Sequence, residues 1–189
     1  MLTCEERFAR AQKILYGMGL LDYLAQIGAP HVVGSCRMNM MAWNDLDIDV
    51  ENKEMSIDRL YDLTAWILKT FCPTWYEAKE EVNDEGKTVW FHGFEAVVDG
   101  EKWNFDLWFF DRETIDKAEC YCDRIKEQAE QTPGAREAII SIKRELIARG
   151  RYGFYDYASM DVYRAVLEQG IRTADELLER YVKQKNRID

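Results

Sequence analysis

The stretch Val32-Val-Gly-Ser-Cys-Arg-Met-Asn-Met-Met-Ala-Trp-Asn-Asp-Leu-Asp-Ile-Asp-Val50 decides how the chain is read. It begins as a short apolar run that stops at Gly34-Ser35, and it ends in a segment where Leu46, Ile48 and Val50 alternate with Asp45, Asp47 and Asp49. Period two is the signature of a strand, so the three aspartates share one face and the three aliphatic residues the other. Carboxylates that close together resist joint ionisation unless a cation sits between them. Magnesium takes oxygen ligands, commonly one or two carboxylates plus substrate phosphates. Glycine lets a ligand approach the backbone, and the neighbouring amides and the Ser35 hydroxyl can donate to phosphate oxygens. The stretch thus joins a phosphate cradle to a metal platform.

The flanking sequence supplies a third acid. In Trp103-Asn-Phe-Asp-Leu-Trp-Phe-Phe110, the residues Trp103, Phe105, Leu107 and Phe109 share a strand face and leave Asp106 on the other. A lone aspartate in so apolar a strand is costly unless it meets solvent or a partner. Elsewhere, the spacing predicts a helix over 3–27, opened by a Thr3/Glu6 capping box. Residues 31–33 read as a short strand, 36–43 as a helical turn, and 57–71 as an amphipathic helix closed by Pro73. Asn83-Asp-Glu-Gly86 reads as a turn. Strands over 88–98 and 101–110 are joined by Asp99-Gly100, a hairpin signal. The remainder is helical: 113–130, a helix opened by Pro133 and stopped by Gly150, one ending at Gly170, and a last one capped by Thr173. A boundary at Asp111 separates a catalytic region, 1–111, from a helical segment, 112–189.

Gly34-Ser35, nine residues, then Asp45-Leu46-Asp47-Ile48 resembles the signature of the DNA polymerase beta-like nucleotidyltransferase superfamily, with Asp106 matching its third acid. The resemblance spans about Val32 to Phe110. Within the superfamily the chain is similar to its small members, which include the aminoglycoside and lincosamide nucleotidyltransferases, and the tail (Ser159 to Tyr163, Gly170 to Thr173) is similar to bacterial members. It implies an α/β (α+β) nucleotidyltransferase fold: a mixed, largely antiparallel sheet backed by helices, followed by a C-terminal helical segment. It also implies Asp45, Asp47 and Asp106 as catalytic metal ligands for two Mg2+ ions, with a nucleoside triphosphate (ATP preferred) as co-substrate. Asp47-Ile48-Asp49, eleven residues after Gly-Ser, fits the same signature, and strand alternation does not choose between the registers. Asn44 before the first acid favours Asp45/Asp47, with Asp49 flanking.

Gly34, Ser35, Arg37 and Lys143 are the candidate nucleotide contacts. Arg37 reads equally well as an ordinary surface arginine, while Lys143 or Arg144, on a helix after the catalytic half, is a candidate because comparable positions in members of the superfamily sometimes hold the triphosphate, although the ordinary reading of either is the stronger. His92 reads as structural, Trp43, Trp90, Trp103 and Trp108 as core, and Cys36 as a small filler beside the cradle.

Composition narrows the partners. The 189 residues are 47% hydrophobic and 32% charged, an ordinary globular balance. Lys plus Arg is 25 and Asp plus Glu 35, so the net charge of −10 repels DNA and RNA. A small hydroxylated acceptor, cationic for preference, is expected, with a protein or tRNA acceptor, or a non-catalytic nucleotide-binding module, as alternatives. A homodimer stays open. Five scattered cysteines suggest reduced thiols in the cytoplasm. No stretch approaches the ~20 apolar residues of a membrane span.

Overall fold

The computed structural model describes residues 2–52, 55–83 and 85–181. The chain divides into two compact units, 1–123 and 124–189. The division falls inside a helix, twelve residues beyond the Asp111 at which strands give way to helices in the sequence.

In the first unit α1 (Cys4–Gln12) opens with the expected capping box: the Thr3 hydroxyl accepts from the Glu6 amide at 3.1 Å, and Glu6 accepts from the Thr3 amide at 2.8 Å. The single helix expected over 3–27 is broken. A π-turn occupies Lys13–Gly17, and Gly19, at φ +76°, redirects the chain into α2 (Leu20–Leu24). Only glycine adopts that conformation at little cost. Next come β1 (Ala29–Val32), a four-residue α3 (Gly34–Arg37), β2 (Asp45–Glu51), α4 (Ile57–Phe71), β3 (Trp75–Val82), β4 (Thr88–Val98), β5 (Glu101–Phe110) and α5 (Arg112–Gln131). Asp84, within the predicted Asn83–Gly86 turn, lies outside the described residues.

The described strands form one sheet in the order β1-β2-β5-β4-β3. Only β2 and β5 pair in parallel, the other neighbours being antiparallel, so the sheet is mixed and largely antiparallel. Asp99 and Gly100, at φ +50° and +78°, close the β4–β5 hairpin as expected for a primed turn. One strand, β3, has no clear alternation in the sequence. It is an edge strand whose Lys79 pairs with Glu77 and Glu81, the charge pattern that keeps an exposed edge from recruiting another chain.

The core lies on one sheet face. Leu46, Ile48, Val50, Trp103, Phe105 and Leu107 point there and are fully buried. The Phe105 and Phe94 rings stack at 4.2 Å, and Phe71 of α4 packs against both at 5.2–5.3 Å. Leu63 and Ile67 complete the helix side of this layer.

The second unit holds the rest of α5, then α6 (Ala135–Ala148), α7 (Ser159–Gln169) and α8 (Ala174–Arg180). Ile139, Ile142 and Leu146 of α6 are buried, as are Val162, Ala165, Val166, Ala174 and Leu177. Gly170, at φ +68°, caps α7, and the Thr173 hydroxyl accepts from the Glu176 amide to start α8. No helix among the described residues is long and apolar enough to cross a membrane.

Candidate metal centre and phosphate cradle

The parallel pairing of β2 with β5 sets the site. Asp47 stands directly opposite Asp106, and Asp45 opposite Asn104. Residues opposite each other share a face. One carboxylate oxygen from each of Asp45, Asp47 and Asp106 therefore lies within 4.8 Å of the others. Asn104 Nδ2 donates to Asp45 Oδ1 at 2.9 Å. Upstream, the Asn44 carbonyl accepts from the Asn104 amide at 3.0 Å, while Asn44 Oδ1 accepts from Arg7 Nε at 3.1 Å. Buried Arg7 of α1 thus pins the residue that precedes the first acid.

The bend before α3 closes against these acids. The Val33 amide donates to the Asp47 carbonyl at 3.0 Å. Gly34 has φ +61°, and a Cβ there would stand 2.0 Å from Asp47 Oδ2 and 2.8 Å from its Cγ. No other residue fits that place without moving the carboxylate. Beside it, Ser35 is buried and its Oγ has no hydrogen-bond partner. A buried hydroxyl without a partner costs stability, and a ligand oxygen would remove that cost. Three convergent carboxylates are hard oxygen donors, so the donor set fits magnesium, and the orphaned hydroxyl fits a phosphate.

Electrostatics support the same reading. Burial raises the Asp106 pKa, with Asn104 opposing the shift. Cys36, between the bend and the acids, has its thiol pushed up to about 12 by burial and by the Asp47 charge. It remains a thiol and is suited to filling space.

Asp49 has a different environment. It is buried, outside the oxygen cluster, and raised to about 7 by burial and by the charges of Asp47 and Glu119. The geometry therefore gathers the Asp45/Asp47 register with Asp106.

The other candidates are dispersed. Arg37 faces α5, where its guanidinium meets Glu119 and Asp123. Lys143 belongs to the second unit. It is buried, and its Nζ donates to the Ser159 hydroxyl at 3.0 Å and to the Tyr163 hydroxyl at 2.6 Å, with the Tyr163 ring centroid 4.2 Å away. His92 lies opposite Leu107, on the core face, fully buried. Trp103 is likewise buried, whereas Trp43 is exposed. Sequence reading overlooked Asn104, although its position two residues before Asp106 puts it on the same strand face and could have flagged it.

No protein-family model matches the sequence, and no curated protein matches it. The structure is similar to that of a cytoplasmic RNA terminal U-transferase, with a TM-score of 0.56 at 13% identity, covering 88% of this chain and 46% of that one. It is similar as well to the GLD-2–GLD-3 poly(A) polymerase complex, with a TM-score of 0.53 at 14% identity, covering 97% of this chain and 61% of that one. The chain thus spans between 46% and 61% of the length of these two. The finer resemblance to antibiotic-modifying enzymes finds no support in these comparisons. What this chain shares with both is the nucleotidyltransferase fold, in this chain a mixed sheet backed by helices.

Proposed function

We propose that this chain transfers a nucleotidyl group from a nucleoside triphosphate, ATP in the first instance, to an acceptor hydroxyl. The observation that supports this most is the convergence of Asp45, Asp47 and Asp106 beside the Gly34-Ser35 bend. Asp45 and Asp47 would hold two magnesium ions between them, and Asp106 would hold the second. Magnesium bound there would neutralise triphosphate charge and make the acceptor hydroxyl more acidic. Gly34 leaves room for the phosphates next to Asp47, and the Ser35 hydroxyl donates to a phosphate oxygen. Asp106 takes the acceptor's proton, a role favoured by a pKa that burial raises. The acceptor oxygen then bonds to the α-phosphorus as the bond from that phosphorus to the bridging oxygen breaks, and pyrophosphate leaves. Positioning and charge stabilisation supply most of the acceleration. Lys143 is kept as a candidate triphosphate contact for its place in the sequence after the catalytic half. A reducing compartment such as the cytoplasm suits the cysteines, among which there is no disulfide in the described residues.

The acceptor we favour is a small hydroxylated molecule, cationic for preference, because a net charge of −10 repels polyanions. An RNA end is the second reading, supported by the fold likeness to an RNA terminal U-transferase and a poly(A) polymerase. Incubation with magnesium and α-labelled ATP separates these readings, with hydroxylated amines and short RNAs as parallel acceptors. Pyrophosphate release that disappears in Asp47→Ala is the expected result. Equal inactivity of wild type and variant across both acceptor classes would remove the reading.

A further inference from the structure

The Gly34-Ser35 bend has little rigidity of its own, since α3 is only four residues long and Gly34 holds a positive φ. Its two ends are nevertheless tied to a single atom. His31, before the bend, and Arg37, after it, both reach Glu119 Oε1 on α5: His31 Nδ1 at 3.2 Å and Arg37 Nη1 at 2.7 Å. Arg37 Nε and Nη2 grip Asp123 Oδ1 and Oδ2 at 2.8 and 2.9 Å. Between the two ends, burial raises the pKa of the Cys122 thiol and the Gly34 backbone opposes that rise. Glu119, Cys122 and Asp123 are spaced i, i+3 and i+4, so they lie on one face of α5. Arg112 of the same helix donates to His31 Nε2 at 3.1 Å and stands 3.6 Å from Glu119 Oε2. The Glu119 and Arg37 side chains are 17% and 29% exposed, so their pairing is only partly screened by water.

We infer that Glu119 is a positioning residue for the nucleotide, acting through His31 and Arg37 to hold the Gly34-Ser35 bend against Asp47. The inference rests on the nucleotidyl-transfer reading for its consequence, though not for its geometry. It also gives Arg37 a role. All three of its guanidinium nitrogens are engaged by carboxylates of α5, one of them bidentate, and this planar fork is what distinguishes arginine from lysine. Arg37 shapes the cradle instead of touching the triphosphate.

The test measures MgATP affinity by calorimetry, steady-state kinetics with the most active acceptor, and amide hydrogen exchange over residues 31–38 without nucleotide. Glu119→Ala and Arg37→Met should each weaken MgATP binding about tenfold, a displacement effect on a positioned group. KM should carry the change, with kcat moving much less. The double variant should be no worse than the weaker single one, because both remove one device. Glu119→Gln, which keeps an acceptor oxygen and loses the charge, should rescue part of the loss. Exchange over 31–38 should quicken in Glu119→Ala while β4 and β5 stay protected. If Arg37→Met weakens MgATP while Glu119→Ala leaves it unchanged or tightens it, Arg37 contacts the triphosphate directly and the inference falls. Unchanged exchange over 31–38 overturns it equally. Should wild type bind no MgATP at all, the nucleotidyl reading fails on its own, and exchange still decides whether Glu119 holds the bend.

Discussion

Strands β2 and β5 have two faces, made from alternate residues of the same short segments, and the faces do opposite things. On one, Leu46, Ile48, Val50, Trp103, Phe105 and Leu107 are shut away from water, and the Phe105 ring meets Phe71 of α4. On the other, Asp45, Asp47, Asn104 and Asp106 converge. Each face also holds a perturbed ionisable group. His92 on the core face is lowered to about 4 by burial, and its Nδ1 has no partner. Asp106 on the acid face is raised, by burial as well. In both cases burial favours the neutral form. The difference lies in company: His92 is flanked by the Tyr76 and Phe109 rings, whereas Asp106 stands among carboxylates. A shifted pKa points to chemistry only where other groups converge on it.

The largest test of this contrast is Asp106→Asn. Turnover should fall on the order of 10³-fold or more, as for other groups acting at a reacting centre. The unfolding midpoint should hold or rise, because a clustered like charge is removed. A marked loss of stability would make Asp106 structural and break the comparison. On the opposite face Phe105→Ala should cost roughly 3–5 kcal/mol in urea unfolding, the range for emptying a buried aromatic site. A small cost there would mean that the core is not where the burial places it.

The pH dependence sharpens the contrast further. His92 has an ordinary pKa of 6.5 and a folded value of about 4. Above pH 6.5 neither the folded nor the unfolded state is protonated, and its contribution to stability is fully present. As pH falls from 6.5 to 4 the unfolded state takes up the proton first, so stability is lost, by about 3 kcal/mol in all. His92→Phe should remove that part of the slope when unfolding is followed between pH 7 and 4. An unchanged slope would show that other groups carry it. The smallest effect is expected at the cap of α1: Thr3→Ala should cost about 1 kcal/mol in thermal or urea unfolding.

Much of this was legible before any coordinates. The alternation in Asp45 to Val50 and in Trp103 to Phe110 divided both strands into an apolar and an acidic face, and Asp99-Gly100 marked the hairpin. The failures have physical causes. The helix expected over 3–27 missed the break because its apolar spacing runs through Gly17 and Gly19, and periodicity does not register a left-handed residue. The β3 strand escaped because its charged edge carries little alternation. Arg37 reads in the sequence as either a triphosphate contact or a surface cation, since its partners lie more than eighty residues away.

The chain by itself determined which side chains share a strand face and where the backbone can turn, because both depend on the local geometry of a few consecutive residues. Only the tertiary structure decided that β2 lies parallel to β5 with Asp47 opposite Asp106, that Asp49 sits outside the oxygen cluster, and that the glycine-serine bend is tied to α5. Those choices are made by pairing segments some sixty to ninety residues apart, and they are settled by the packing of the whole unit, which no local period encodes.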